Sequence, residues 1–167
     1  MIAIVEEDPS QRQQIADLLR AAFDGDAEAA LVDRLRRDRL VAASLVAHAD
    51  GDVVGHILFS DLAVTVDGRA VTAAALAPLA VHRDHQRQGI GSRLVLAGLS
   101  IVRERGYAAV IVVGHADYYP RFGFSAALAR KLTAPFTGDS FMALELVPGS
   151  LRGETGTVRY PPAFELD

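Results

Sequence analysis

Two Asp-Gly dipeptides limit what this chain can fold into more than any other feature. Asp50-Gly51 and Asp67-Gly68 separate three stretches rich in apolar and β-branched residues: Val41 to His48, Val53 to Val66 and Val71 to Val81. Asp-Gly between such runs favours a two-residue hairpin turn, because both central positions need positive φ. Three antiparallel strands in a meander follow. Pro78, late in the third, has no N–H to give a ladder and predicts a bulge or interruption there.

Helical patterns flank the meander. Ile2 to Val5 is apolar enough for a first strand, and Asp8-Pro9-Ser10 announces a helix, with Pro suited to its first position. A capping box from Ser10 to Gln13 is expected, with Asp8 competing for the cap. Ile15, Leu18, Leu19 and Ala22 share one helical face that Gly25 closes, and a second amphipathic stretch carries Leu31 and Leu35. After the meander a long helix, roughly Gly89 to Arg105, shows a stripe of Ile90, Leu94, Ala97 and Ile101. Val95, Gly98 and Val102 widen it, and Gly106 stands at its stop. Ala108 to Val113 reads as a fully buried strand, so strand, helix and strand here form a parallel βαβ unit. A short helical turn is expected over Asp117 to Phe122 and a last strand over Phe141 to Val147. Residues 148–167 read as a Gly- and Pro-rich tail. The expected class is α/β (α+β), one domain over residues 1–167 with a mixed sheet flanked by helices.

Composition removes several kinds of chemistry. The chain has no cysteine, which excludes disulfides, thiolate metal sites and a cysteine nucleophile. A net charge of −4 provides no basic field for nucleic acid. The densest cationic patch, Arg34, Arg36, Arg37 and Arg39, is interleaved with Asp33 and Asp38 and reads as a solvated helix face. Glu6, Glu7 and Asp8 stand where a signal peptide would carry basic residues. The longest apolar run, Ala70 to Val81, is broken by Thr72 and is too short for a bilayer. A cytoplasmic protein without a membrane partner is expected.

The strongest chemical signal is Gln86-Arg87-Gln88-Gly89-Ile90-Gly91, set between a strand and a helix. The first turn of a helix leaves N–H groups without partners and carries partial positive charge, and glycine lets a phosphate approach that backbone. A close helix–strand crossing would demand the same small residues. The loop is neither a Walker A sequence, lacking Gly-Lys-Ser/Thr, nor a dinucleotide fingerprint, lacking the third glycine. His82 and His85 have no third ligand nearby in sequence, so no metal is expected.

Gln86-x-x-Gly89-x-Gly91, preceded by Leu79-Ala80-Val81, resembles the acyl-coenzyme A signature of the GNAT N-acetyltransferase superfamily. A second block, Tyr118-Tyr119-Pro120-Arg121-Phe122-Gly123-Phe124, is similar to that family's Tyr-x-x-x-Gly-Phe element. Gly55-His56-Ile57-Leu58-Phe59-Ser60 resembles a small bacterial branch. The resemblance spans roughly residues 2 to 147 and has its motif core over 71–124. It implies central parallel strands that splay, with a pantetheine arm pairing with backbone at Leu79, Ala80 and Val81. Pyrophosphate would lie on N–H groups from Arg87, Gln88, Gly89, Ile90, Gly91 and Ser92, next to Gln86. Arg83, Arg87 and Arg93 are candidates for added phosphate charge, and Arg83 stands where the family often has Pro.

The implied reaction moves acetyl from acetyl-coenzyme A to a primary amine, on a small molecule or a protein, by direct transfer in a ternary complex. It needs a polarised carbonyl, a neutral amine and a protonated leaving thiolate. A backbone N–H at Leu79 or Ala80 would serve the first. Tyr119 matches the family's acid, and Tyr118 beside it reads as packing or substrate contact. A lysine-like amine is neutral in about one molecule in two thousand at pH 7, so a deprotonation route is required. The third strand from Ala73 holds no Asp or Glu. Candidates for the base are Glu28, His56, His115, Asp117 and ordered water, with His115 leading from the end of its strand. A non-catalytic acyl-coenzyme A sensor or regulatory module is the alternative, and a homodimer is compatible with either.

Overall fold

The computed structural model describes residues 1–166, and Asp167, the last residue of the expected tail, lies outside them. In chain order the elements are β1 (Ile2–Glu6), α1 (Arg12–Phe23), α2 (Ala27–Arg37), β2 (Val41–Ala49), β3 (Asp52–Val66), β4 (Arg69–Val81) and α3 (Ile90–Glu104). There follow β5 (Ala109–Val113), α4 (Ala126–Ala129), β6 (Leu132–Thr133), β7 (Phe141–Glu145) and β8 (Gly156–Arg159). The strands form a mixed eight-stranded sheet of order β1-β2-β3-β4-β5-β7, with β8 on β3 and β6 on β8. The chain divides into two compact units, Met1–Ser60 with Ala77–Ile101 and Asp61–Leu76 with Val102–Asp167. No helix among the described residues is long and apolar enough to cross a membrane.

Both Asp-Gly turns are formed as the sequence requires. Asp50 and Gly51 have φ of 51° and 86°, Asp67 and Gly68 of 49° and 77°, so both central residues are left-handed in each. An unbulged hairpin at Asp67-Gly68 would set Val54 opposite Val81. The carbonyl of Val54 instead accepts from the N–H of His82 at 2.7 Å, so β4 carries an extra residue. β4 nevertheless runs through Pro78 as one strand to Val81.

In the first unit, β1 and β3 flank β2 antiparallel, with Ile2 opposite Ala49 and Val46 opposite His56. Successive residues of β3 face opposite sides. On the side of Gly55 and Phe59 lies α3: a Cβ on Gly55 would stand 3.0 Å from Leu94, and one on Gly98 would stand 2.2 Å from the Phe59 ring. Ile90, Leu94, Val95, Gly98, Leu99 and Val102 are the buried residues of α3, so Leu99 joins the expected stripe while Ala97 and Ile101 are only half-buried. On the side of His56, α2 is anchored through Arg36.

Three sequence expectations are corrected in this unit. The helix entry is capped by Asp8, whose carboxylate accepts from Ser10 N–H at 2.9 Å. Gln11, not Gln13, closes the box by accepting from Asp8 N–H at 2.8 Å, because a 3-10 turn over Pro9–Gln11 precedes α1. α1 stops at Phe23 with Asp24 left-handed, ahead of Gly25. The arginine patch is not uniformly solvated, since the Arg36 side chain is only 14% exposed.

In the second unit β4 and β5 run parallel from Ala73 opposite Ala109 to Leu76 opposite Val112, and β7 pairs antiparallel with β5. The expected tail is an integral part of this unit, and β7 is not the last strand. β8 pairs with β3 from Ala63 opposite Arg159 to Val66 opposite Gly156. Leu151, Val158 and Ala163 are buried. The Asp67 carboxylate accepts from Glu154 and Thr155 N–H at 3.1–3.2 Å, Lys131 Nζ donates to the Gly153 carbonyl at 3.1 Å, and Tyr160 stacks edge-on between Phe136 and Phe164. Four strand residues flanked by glycine and proline are too short to show alternation in the sequence.

Helix propensity and packing disagree at Gly98, which offers a sharp check. An exposed helical Gly→Ala change gains about 1 kcal/mol, whereas overpacking against Phe59 costs about 1–3 kcal/mol. Gly98→Ala is expected to lower the midpoint of urea unfolding, and a raised midpoint would show that α3 does not lie this close to β3.

Candidate functional site

The first cluster grows out of the end of β4. Past Val81, the N–H of His82 is spent on β3, and its Nδ1 accepts from Asp84 N–H at 3.1 Å, closing a 3-10 turn over Arg83–His85. Gln86 folds back, its Nε2 donating to the Val81 carbonyl at 3.0 Å. This bond explains why the motif begins with Gln: the side chain ties the loop to the strand it leaves. Arg87 and Gly89 are then left-handed, at φ 65° and 77°. Glycine adopts that region freely, but an arginine there is held at a cost, and such backbone gathers at ligand-binding turns.

α3 starts immediately after. Its first helical bond runs from Arg93 N–H to the Gly89 carbonyl at 3.0 Å, so Ile90 and Gly91 precede the hydrogen-bonded ladder. Nothing lies within 4 Å of a Cβ built on Gly89, so the backbone there is open to a ligand. Ile90 is buried beneath it, in contact range of Gly55, and fixes where the helix begins. Arg83 and Arg87 are exposed, while Arg93 donates to the Ile2 carbonyl at 3.2 Å and is thereby drawn toward β1. Leu79 and Val81 are half-buried and Ala80 is buried.

The second cluster follows β5. The carbonyl of His115 accepts from the N–H groups of Tyr118 and Tyr119 at 3.1 and 3.2 Å, starting a 3-10 turn over Tyr119–Phe122 that left-handed Gly123 ends. Tyr119 lies across Gly114, where a Cβ would stand 2.3 Å from the ring, and against Phe124 at 5.7 Å between centroids. That explains a glycine after the strand and a Phe after Gly123. Burial, with a smaller effect from Tyr118, pushes the Tyr119 phenol up to about 12, so it stays protonated at every ordinary pH. Tyr118 packs on Phe122 and carries the Arg121 guanidinium 4.7 Å above its ring. His115 and Asp117 are exposed, and Glu28 is half-buried in the first turn of α2.

Sequence reasoning missed a buried polar chain in the first unit. Glu7, just past β1, accepts from Arg36 Nη2 at 2.8 Å and Nε at 3.1 Å, and from the Ser44 hydroxyl at 2.5 Å. Arg12 Nε reaches the same carboxylate at 3.4 Å. Burial opposes its charge, but Arg36 and Ser44 prevail and hold its carboxyl below the usual range. His56 Nε2 lies 2.9 Å from Ser44 Oγ, and its ring is fully buried. Burial lowers His56 to about 4, outweighing the opposing effect of Glu7. Among the described residues, no group of three or more His, Asp or Glu is placed to hold a metal ion.

The His56 shift fixes a pH dependence of stability. The unfolded histidine, near 6.5, takes a proton that the folded one refuses until about pH 4. Stability is therefore complete above pH 6.5 and falls by roughly 3 kcal/mol on descending to pH 4. Thermal unfolding across that range checks it: His56→Gln should flatten the dependence, and an unchanged slope would assign it to other groups.

Comparison with known proteins converges on one family. Residues 5–127 match the family model described as "Acetyltransferase (GNAT) domain". The chain is 40% identical over 161 residues, 95% of each chain, to YhbS of Escherichia coli (strain K12), named as an uncharacterized N-acetyltransferase. The crystal structure of E. coli YhbS in complex with CoA matches with a TM-score of 0.89 and 39% identity, covering 99% of this chain and 92% of that one. A GNAT family acetyltransferase from Brucella melitensis in complex with acetyl-CoA matches with a TM-score of 0.81 and 32% identity, covering 98% of both chains.

Proposed function

We propose that this chain, which belongs to the GNAT acetyltransferase family and is an acetyl-CoA-dependent acyltransferase, transfers acetyl to a primary amine directly within a ternary complex, in the cytoplasm. A single catalytic domain over residues 1–167 is part of this reading. The observation that carries it is the Gln86–Gly91 loop. Gln86 ties it to β4, two left-handed residues turn it, and it opens without obstruction at the start of α3.

On this reading the pantetheine arm pairs with backbone at Leu79, Ala80 and Val81, and the N–H of Leu79 or Ala80 polarises the thioester carbonyl. The pyrophosphate takes its hydrogen bonds from Arg87, Gln88, Gly89, Ile90, Gly91 and Ser92, with the partial charge of the helix start in its favour. The amine nitrogen attacks the carbonyl carbon, the C–N bond forms, the C–S bond breaks, and the thiolate takes a proton from Tyr119. His115, exposed at the end of β5, receives the proton that the nitrogen loses. With no cysteine in the chain a cysteinyl acyl-enzyme has no nucleophile, which supports direct transfer.

Calorimetric titration with acetyl-CoA, with ADP as control, tests the site. Micromolar binding that ADP does not reproduce is expected, and absence of acetyl-CoA binding would overturn the proposal. Thiol release is then screened over spermidine, free lysine and a peptide with a free N-terminus. Turnover of none, with binding intact, would favour an acyl-CoA sensor. Tyr119→Phe should lower kcat at least about a hundredfold while acetyl-CoA affinity stays unchanged; unaltered turnover would remove Tyr119 from the chemistry.

A further inference from the structure

A cavity of about 450 Å³ opens in the first unit beside the start of the Gln86–Gly91 loop, and the reaction proposed above leaves it unused. Its wall toward the loop is made by His82 and His85, whose rings meet edge to face at 5.9 Å. α1 and the start of β3 supply the rest. Leu18, Val53 and Val54 line it and are buried, so its floor is apolar. Gln14 Oε1 accepts from Val53 N–H at 3.0 Å and fixes α1 against β3, so the cavity is formed before any ligand arrives. Its size is that of a small-molecule site.

The charge of the lining is one-sided. Asp17 and Asp52 contribute two carboxylates, and no lysine or arginine lines the cavity. Among the described residues the Asp52 side chain has neither a hydrogen bond nor an ion pair. Asp17 accepts from Gln13 Nε2 at 3.0 Å, while Arg20 stands 3.7 Å away with its Nε committed to Asp26 at 2.8 Å. A phosphate would meet like charge here, so the cavity is not a second seat for the coenzyme. An organic cation with an aliphatic body satisfies both the carboxylates and the floor.

We propose that this cavity receives the distal ammonium and alkyl chain of an aliphatic polyamine acceptor, the ammonium on Asp52 and Asp17 and the methylenes on Leu18, Val53 and Val54. The inference rests on the acetyl-transfer reading above and names its acceptor class. His82, in the cavity wall, lies two residues beyond Ala80, about 7 Å along an extended strand. A short alkyl spacer covers that distance from the backbone assigned to the thioester carbonyl. The distal nitrogen keeps its proton and forms no covalent bond. Only the free terminal amine attacks, so the two carboxylates also select which nitrogen reacts.

Butylamine and spermidine separate the contributions, since butylamine has a primary amine and an alkyl chain without the second charge. In wild type kcat/KM for spermidine should exceed that for butylamine by about fivefold or more, the upper worth of one exposed ion pair. Added NaCl should shrink that ratio, because exposed pairs are screened. Asp52→Asn should lower the ratio, and Asp52→Lys, which puts a cation in the cavity, should bring it to one or below. Asp52 is exposed and unpartnered, so neither change is expected to lower the melting temperature. A ratio near one in wild type, or the same ratio in all three proteins, would overturn the proposal. Imidazole NMR of His82 and His85 at constant ionic strength reads the cavity without turnover. Spermidine should shift both rings in wild type and neither in Asp52→Lys, and unmoved rings in wild type overturn the site. Shifts without a preference for spermidine would make the cavity an effector site and overturn its assignment to the acceptor. Failure of acetyl-CoA to bind sinks the transferase reading, and the acceptor role with it, while the histidine shifts still decide whether the cavity takes a polyamine.

Discussion

The contact between Phe59 and the bare backbone of α3 at Gly98 governs the chemistry-bearing half of the first unit. The helix approaches β3 so closely that no Cβ fits, and Gly55 opposite Ile90 and Leu94 repeats the device at the other end of the contact. Two points of close approach fix both the position and the axis of a helix. The start of α3 is then set relative to β3, and the loop from Gln86 to Gly91 must close the remaining gap. A phosphate-binding turn needs its N–H groups held in place before the ligand arrives, and steric contact deep in the core supplies that rigidity more cheaply than charged side chains would.

The opposite side of β3 is organised by charge. Glu7 gathers Arg36, Arg12 and Ser44 onto one nearly buried carboxylate. A buried ion pair gives little net stability, because desolvation offsets most of the attraction. Its bidentate geometry does select one docking of α2 on the sheet, since sliding the helix would strand a guanidinium and a carboxylate together. Removing either partner leaves the other charged and buried, a cost of several kcal/mol. An apolar side chain at Glu7 would also leave the Ser44 hydroxyl free to donate to His56. The ion pair thus bears on the hydrogen bonding of a neighbour two bonds away.

What the sequence discloses and what it hides divides along a physical line. Asp50-Gly51 and Asp67-Gly68 act through their own φ requirements, so the meander was legible from a few residues. The Gln86–Gly91 and Tyr118–Phe124 blocks were legible because each folds largely upon itself, Gln86 onto Val81 and Tyr119 onto Gly114. β8 was hidden, since its four residues become a strand only by pairing with β3 from far along the chain. Arg36 was hidden among arginines that look alike, because its burial depends on Glu7, twenty-nine positions away. The helix cap was misplaced for a smaller reason: the inserted 3-10 turn shifts which glutamine lies three residues beyond the capping group. The candidate base remained open because nothing in a one-dimensional pattern reveals which histidine is buried.

Tyr119 and His56 share a property that bears on how such an enzyme would respond to pH. Burial drives the phenol up to about 12 and the imidazole down to about 4, opposite shifts with one consequence. Each side chain is neutral across the whole physiological range. Neither will impose a limb on activity between pH 5 and pH 8. The acceptor amine must lose its proton to become a nucleophile, and in the proposed reaction that proton goes to His115. Activity should then climb with pH along the amine's own ionisation, so that an acceptor of lower pKa reaches its plateau at lower pH. With Tyr119 and His56 each locked in one protonation state, the choice of working pH falls to the substrate and to the base that takes its proton.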